Sequence, residues 1–178
     1  MLFSNGVEWL VHKHVLHGLG ANKSSFWSFH WHEHHRNARR YGFFDPDYRR
    51  SPFRWNAQGK EVLGLVGLSL LVTPLLPIAP YFVLTSYATA YNYYRCHKRA
   101  HRDPKWAREH LRWHYDHHMG PNQHANWCVT RPWFDHILRT RVPYAGTARE
   151  RTDLEKRAAR EACGMKEEKY SPRLAADP

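Results

Sequence analysis

Cysteine is scarce in this chain: three in 178 residues, Cys96, Cys128 and Cys163, with no two forming a CxxC pair. An odd, scattered set argues against a disulfide framework and is read as a reducing environment. Acidic residues are also few, 16 against 27 basic, which leaves a formal charge of +11. That balance suits a polyanion, either nucleic acid or the anionic face of a membrane. No nucleic-acid-binding motif accompanies the charge, so nucleic acid is not expected as a partner. The first twenty residues carry His and Glu where an apolar leader would stand, and no signal peptide is expected. Internal repeats are missing as well.

Charge is absent altogether from one stretch. Residues 62–94 contain no Asp, Glu, Lys, Arg or His, and Pro74, Pro77 and Pro80 interrupt them. Basic residues stand on both sides, Arg49, Arg50, Arg54 and Lys60 before, Arg95, Lys98, Arg99 and Arg102 after. The positive-inside tendency then puts both ends on one cytoplasmic side, with the prolines at the turn of a membrane hairpin. The arms, 62–73 and 81–94, reach only about 18–21 Å at ~1.5 Å per residue. A hydrocarbon core of about 30 Å therefore requires a shallow hairpin or helices that continue beyond the arms. The alternative is a buried hairpin in a helical bundle, which the mean hydropathy of −0.75 favours.

The remaining elements follow from caps and breakers. Residues 7–18 read as a helix closed by Gly18, and 22–25 as a turn in which Ser24 or Ser25 can cap the next helix. Residues 41–60 lack a period and read as surface loop. The second apolar arm is expected to continue as helix through His101. Asp103 and Pro104 form a favoured N-cap and N1 pair for a helix ending near Gly120. A short helix is expected over 134–139. Residues 147–169 read as a charged solvated helix with a capping box at Thr152 and Glu155.

What is abundant is histidine, 15 residues, arranged by helical geometry. His30 and His34 are four apart, as are His97 and His101, so each pair shares a helix face. His114, His117 and His118 form an HxxHH cluster. His12 and His17 are five apart, about 140° on an ideal α-helix, and can converge only where the helix unwinds beside Gly18. Imidazoles on one face are an economical way to present nitrogen ligands to a metal, iron or zinc alike.

In order, the clusters are HKHVLH (12–17), HWHEHH (30–35), HKRAH (97–101) and HYDHH (114–118), two on each side of the apolar run. This arrangement resembles the fatty acid hydroxylase superfamily, whose pattern is HX4H, HX2–3HH, HX3H and HX2HH. It matches ten residues: His12, His17, His30, His34, His35, His97, His101, His114, His117 and His118. NWCVTRPWFDHILRT (126–140) is similar to the family's closing motif, and the likeness covers roughly residues 5–141. Cys128 departs from a usual glycine, and Arg139 stands near where glycine is frequent. Family members usually carry a further transmembrane pair upstream of the first histidine helix. The expectation is therefore either a misplaced start or a minimal form that shares its membrane anchorage with a partner.

The resemblance implies an all-α fold: a helical membrane protein with an apolar hairpin (62–94) and a histidine-rich helical cap on the cytoplasmic side. Residues 1–145 would form the hydroxylase-like domain and 146–178 a charged helical tail. The ten histidines would hold two iron ions, with zinc possible in purified protein. Glu8, Glu33, Glu109, Asp116, Asn126 and Asp135 are candidates to orient the ligand rings. His14, His32, His110, His124 and His136 fall outside the pattern. Trp27, Phe29, Trp31, Phe43 and Phe44 would shape a lipid access path. The implied activity is O2-dependent hydroxylation or desaturation of a membrane lipid such as a fatty acyl chain or sterol. A cytochrome b5-like or ferredoxin-like protein would supply electrons. A non-catalytic metal-binding relic and a carotenoid hydroxylase are the alternatives, though the HX3H spacing differs from the HX4H usual in the latter.

Overall fold

A computed structural model describes residues 1–163. Among these the chain is helix and loop throughout, without a strand. It divides into two compact units, Met1–Ala145 and Gly146–Pro178.

The first unit opens with α1 (Leu2–Leu10), which continues without a break into a π-helix, Val11–Gly18. The helix expected from residue 7 starts earlier, at Leu2, and widens at its end where unwinding is expected. A second π-helix, His30–His35, runs into α2 (Arg36–Arg40). Asn22 and Ser25 make local turn bonds, to the Ser24 and Trp27 amides, ahead of it. The expected loop over 41–60 is partly ordered. A 3₁₀ turn covers Pro46–Arg49, and α3 (Ala57–Val72) begins before residue 60 because the Asn56 side chain accepts the Gly59 amide at 2.9 Å. At Gly59 a Cβ would collide with the Arg54 carbonyl, so only glycine lets the preceding loop lie across this first turn.

After a 3₁₀ turn at Thr73–Leu75, α4 (Pro80–Arg102) returns antiparallel to α3. Asp103 then caps α5 (Pro104–His110), its carboxylate accepting the Trp106 amide at 3.0 Å. The single helix expected up to Gly120 is broken at Leu111 (φ −123°, ψ 48°), where α6 (Arg112–Met119) starts afresh. Leu111 is buried beside Ala107, Tyr115 and Phe43, and that packing outweighs continuity of the helix. A short α7 spans Trp133–Ile137, slightly ahead of the expected 134–139.

The membrane hairpin requires correction. No helix among the described residues is long and apolar enough to cross a membrane. The 16 residues of α3 extend about 24 Å, short of a ~30 Å core. The 23 residues of α4 are long enough, but their last third holds Arg95, Lys98, Arg99, Arg102 and two buried histidines. The placement of the histidine clusters on the cytoplasmic side of a bilayer loses its basis with the spanning hairpin. The apolar arms instead line a cavity on one side, while Leu70, Leu71, Ile78 and Tyr81 face outward.

The second unit contains α8 (Ala148–Ala162). It starts within one residue of the expected 147, and its N-terminal bonds come from Thr147 and Glu150 and not from the Thr152/Glu155 box. Thr147 accepts the Glu150 amide, and the Glu150 carboxylate accepts the Gly146 amide at 2.6 Å. The end of the expected 147–169 helix lies outside the described residues.

Candidate metal centre

Ten histidines are buried in the interior of the first unit. His12, His34, His97, His101, His114, His117 and His118 are among its largest fully buried side chains. Packing this many polar rings away from water is costly unless each nitrogen finds a partner.

The two π-helices explain how the rings converge. An i→i+5 ladder stacks residues five apart, where an α-helix would splay them. His12 and His17 thus share a face, ring centroids 5.1 Å apart, with Gly18 still inside the π-helix. In the second π-helix, His30 meets both His34 and His35, at 5.2 and 4.9 Å. On α4, ordinary α-helical spacing brings His97 and His101 to 4.8 Å. His114 and His118 on α6 stand 4.7 Å apart.

Ligand nitrogens gather into two groups, one of His12, His17, His30, His35 and His117, the other of His34, His97, His101 and His118. Within each group the nitrogens lie within 4.8 Å of one another, and all nine residues are buried. His114 joins the second group through its Nε2, 3.0 Å from that of His101. The groups abut, with the His34 and His35 rings 5.9 Å apart. These buried histidines could hold metal ions.

Acceptors stand behind rings of both groups, and carboxylates only behind the second. In the five-histidine group, His12 and His117 donate Nδ1–H to the carbonyls of Trp127 (2.5 Å) and Ala125 (2.6 Å), and His35 donates to Gln123 Oε1 (2.8 Å). In the four-histidine group, His34 donates to Asp45 Oδ2 (2.7 Å), His97 to Glu61 Oε1 (2.6 Å) and His101 to the Phe43 carbonyl (2.8 Å). The Tyr48 hydroxyl donates to the other Glu61 oxygen at 2.6 Å.

These bonds decide whether the residues suit a metal. A neutral imidazole has one N–H and one lone pair, so a ring that donates through Nδ1 presents a bare lone pair at Nε2. His35 and His117 are both in that state, yet their Nε2 atoms face each other at 3.1 Å. Two lone pairs repel at that distance unless a cation lies between them. Two nitrogens each about 2.1 Å from one ion and at right angles would sit about 3.0 Å apart. In the other group, the Nε2 atoms of His34, His97 and His118 are buried without any hydrogen-bond partner. Protonation is not the remedy. Burial pushes His12 down to about 3, and burial followed by neighbouring rings holds His30, His34, His35, His101, His114, His117 and His118 well below the usual histidine range. Uncharged rings with inward lone pairs form a donor set that fits metal ions of intermediate softness.

The carboxylates singled out from the sequence make their bonds elsewhere. Glu33 pairs with Lys60 at 2.7 Å, and Glu109 is exposed. Asp116 accepts from Arg141 and the Ala145 amide, while Asn126 holds Arg141 and Val142. Glu8 accepts the Val129 and Thr130 amides, and burial raises its carboxyl. Asp135 accepts the Trp127 and Cys128 amides at 2.8 and 2.9 Å. Glu8, Asp116, Asn126 and Asp135 shape the closing segment, which in turn offers the Ala125 and Trp127 carbonyls to His117 and His12. The residues that do hold ligand rings, Asp45, Glu61 and Gln123, were missed. Glu61 carried a faint signal, being the last charge before the uncharged run; Asp45 and Gln123 lie in loops without a period.

Of the remaining histidines, His32 meets the Ala21 carbonyl, His110 the Trp106 carbonyl, and His124 stacks on Trp31. His14 packs edge-on against Trp9, and His136 is exposed. None joins either group. Beside the five-histidine group lies an apolar cavity of about 260 Å³ between α1, its π-helical continuation, α3 and α4. Trp27 and Phe29 line it, as expected of an access path, but Trp31, Phe43 and Phe44 do not. Phe43 instead stacks on His101 at 4.4 Å, and Phe44 lies under Arg49. Comparison with protein-family models, curated proteins and solved structures found no match.

Proposed function

We propose that this chain is a dinuclear iron oxygenase that hydroxylates, or desaturates, an unactivated C–H position of an apolar chain such as a fatty acyl group or sterol. The observation that carries this reading is a pair of adjoining buried histidine groups, one of which lines an apolar cavity. The order and spacing of the four histidine clusters, similar to the fatty acid hydroxylase superfamily, supports it. Iron held there would supply O2 activation. Hydroxylation combines R–H, O2, two electrons and two protons into R–OH and water. Desaturation uses the same electrons and protons and releases two waters.

The protein's own contribution is positional. Carbonyls, an amide and carboxylates behind His12, His34, His35, His97, His101 and His117 turn the second nitrogen of these six rings toward the centre, which limits the reorganisation needed when a metal enters. The cavity walls, Leu65, Leu68, Val72 and Phe82 among them, give an apolar surface that suits an aliphatic chain. Ser69 and Ser86 in the same wall spend their hydroxyls on the carbonyls four residues back, leaving little polar recognition inside. Electrons come from outside the chain. A groove of Arg49, Arg95, Lys98, Arg99 and Arg102 suits an acidic donor protein. Arg95, Arg99 and Arg102 lie about half a turn around α4 from His97, one helix thickness from the four-histidine group.

Iron-reconstituted protein tests this. We expect about two irons per chain, and O2 uptake with a lipid product seen by mass spectrometry when a reductant and acyl substrates are present. One metal or none per chain refutes the dinuclear reading. Two metals with no oxidised product and no O2 uptake would instead support a non-catalytic metal-binding protein.

A further inference from the structure

We infer that the two metal positions divide the work: the five-histidine position meets the substrate chain, and the four-histidine position is walled off from it by Tyr48 and Glu61. This rests on the dinuclear reading above and adds to it where the apolar chain goes.

The cavity touches the two groups unequally. His12 and His30 of the five-histidine group line it, whereas none of His34, His97, His101, His118 or His114 does. Between the cavity and the second group stand two residues that line the one and bond or pack against the other. Glu61 accepts His97 Nδ1–H and the Tyr48 hydroxyl. The Tyr48 ring stacks over His101 at 5.4 Å and meets His34 edge-on at 5.4 Å. Tyr48 is essentially fully buried, packed between the cavity and the rings of His34 and His101.

Charge separates the positions in the same sense. Asp45 and Glu61 stand behind the four-histidine group, whereas the five-histidine group has only carbonyls and an amide behind it. A carboxylate behind a ligand imidazole raises its basicity and offsets the ion's charge. The carbonyl-backed ion keeps more of its positive field and is the stronger electrophile toward an added ligand. The position that faces the cavity is thus also the one poised to accept a further donor.

Cobalt(II)-loaded protein with 1-octylimidazole, an aliphatic tail bearing a nitrogen donor, tests the assignment by visible absorption. One of two cobalt ions should respond, saturating at one probe per chain, with at least tenfold tighter binding than 1-methylimidazole. Leu68→Trp, which fills the cavity away from any histidine, should abolish the advantage of the octyl tail while both cobalt ions stay bound. His118→Ala should keep the response on the remaining ion, and His117→Ala should lose it. Tyr48→Ala should open the wall and make the second ion responsive. A response from both ions in the unaltered protein, or a tail advantage that survives Leu68→Trp, overturns the assignment while leaving the dinuclear reading intact. Failure of the unaltered protein to take up two cobalt ions overturns both.

Discussion

The two histidine groups share a core but are built on different principles. The five-histidine group draws on both π-helices and on α6, and hangs on carbonyls and an amide from the 123–127 segment. The four-histidine group is centred on α4 and α6, with His34 from the second π-helix, and is braced by Asp45 and Glu61. The first depends on how a loop is held; the second depends on two carboxylates. One strategy leaves an electrophilic position beside the cavity, the other a charge-compensated position behind a wall.

Removing the metal should strain both groups and have the largest effect. Without a cation, His35 and His117 turn lone pairs on each other and three Nε2 atoms stay buried unpaired. Stripping by a chelator should lower Tm by at least about 10 °C, since each kcal/mol is worth about 2–4 °C at this size. An unchanged Tm would mean that the rings pair well enough alone.

Acid comes next. In metal-free protein, His12 is pushed down to about 3 and seven further rings lie well below 6.5, chiefly through burial. Below pH ~6.5 the unfolded chain binds protons that the folded rings refuse, so stability falls as pH falls. Each fully refusing ring contributes about 1.4 kcal/mol per pH unit. Asp45 opposes this weakly, because burial raises its carboxyl to about 6 and it takes up a proton earlier than the unfolded carboxyl does. Urea midpoints between pH 7.5 and 5.5 should therefore fall steeply, and a flat profile would contradict the buried, neutral rings.

Asp45→Asn separates the groups directly. The amide keeps the shape but removes the anionic brace on His34, and metal affinity at the four-histidine position should fall about 10–100-fold. The five-histidine position should be unaffected in a competitive titration. Equal weakening of both would show that the two positions are not independently braced.

How much of this was legible in the sequence depends on the kind of spacing involved. The α-helical pair His97/His101 could be read from a four-residue interval. His12/His17 stayed open on spacing, through unwinding beside Gly18, and was picked out by the resemblance, because an α-helix sets them apart and the π-helix that reunites them has no compositional signature. The apolar run 62–94 was visible, but its length concealed that α3 begins at Ala57 and that α4 carries its ligands in a basic final third. The groups behind the rings were the least readable. Asp45 and Gln123 reach His34 and His35 across 11 and 88 residues, and nothing local marks either as an acceptor.

The smallest effect tests the loop that feeds the five-histidine group. Arg139 adopts φ +55°, left-handed backbone that costs an L-residue roughly 1–2 kcal/mol. Glycine removes that cost but loses about 0.5–1 kcal/mol of chain entropy on folding. Arg139→Gly should therefore stabilise the protein by about 0.5–1 kcal/mol, seen as a small rise in the urea midpoint. The neighbouring Thr140 and Arg141 amides bond the Asp135 carbonyl, and the Asp135 carboxylate holds the Trp127 amide whose residue supports His12. If the carbonyl-backed position depends on how firmly this loop is set, the variant should leave four-histidine affinity untouched and hold or tighten metal at the five-histidine position. Weaker metal at the five-histidine position would mean that the left-handed arginine, and not the turn alone, fixes the carbonyl behind His12.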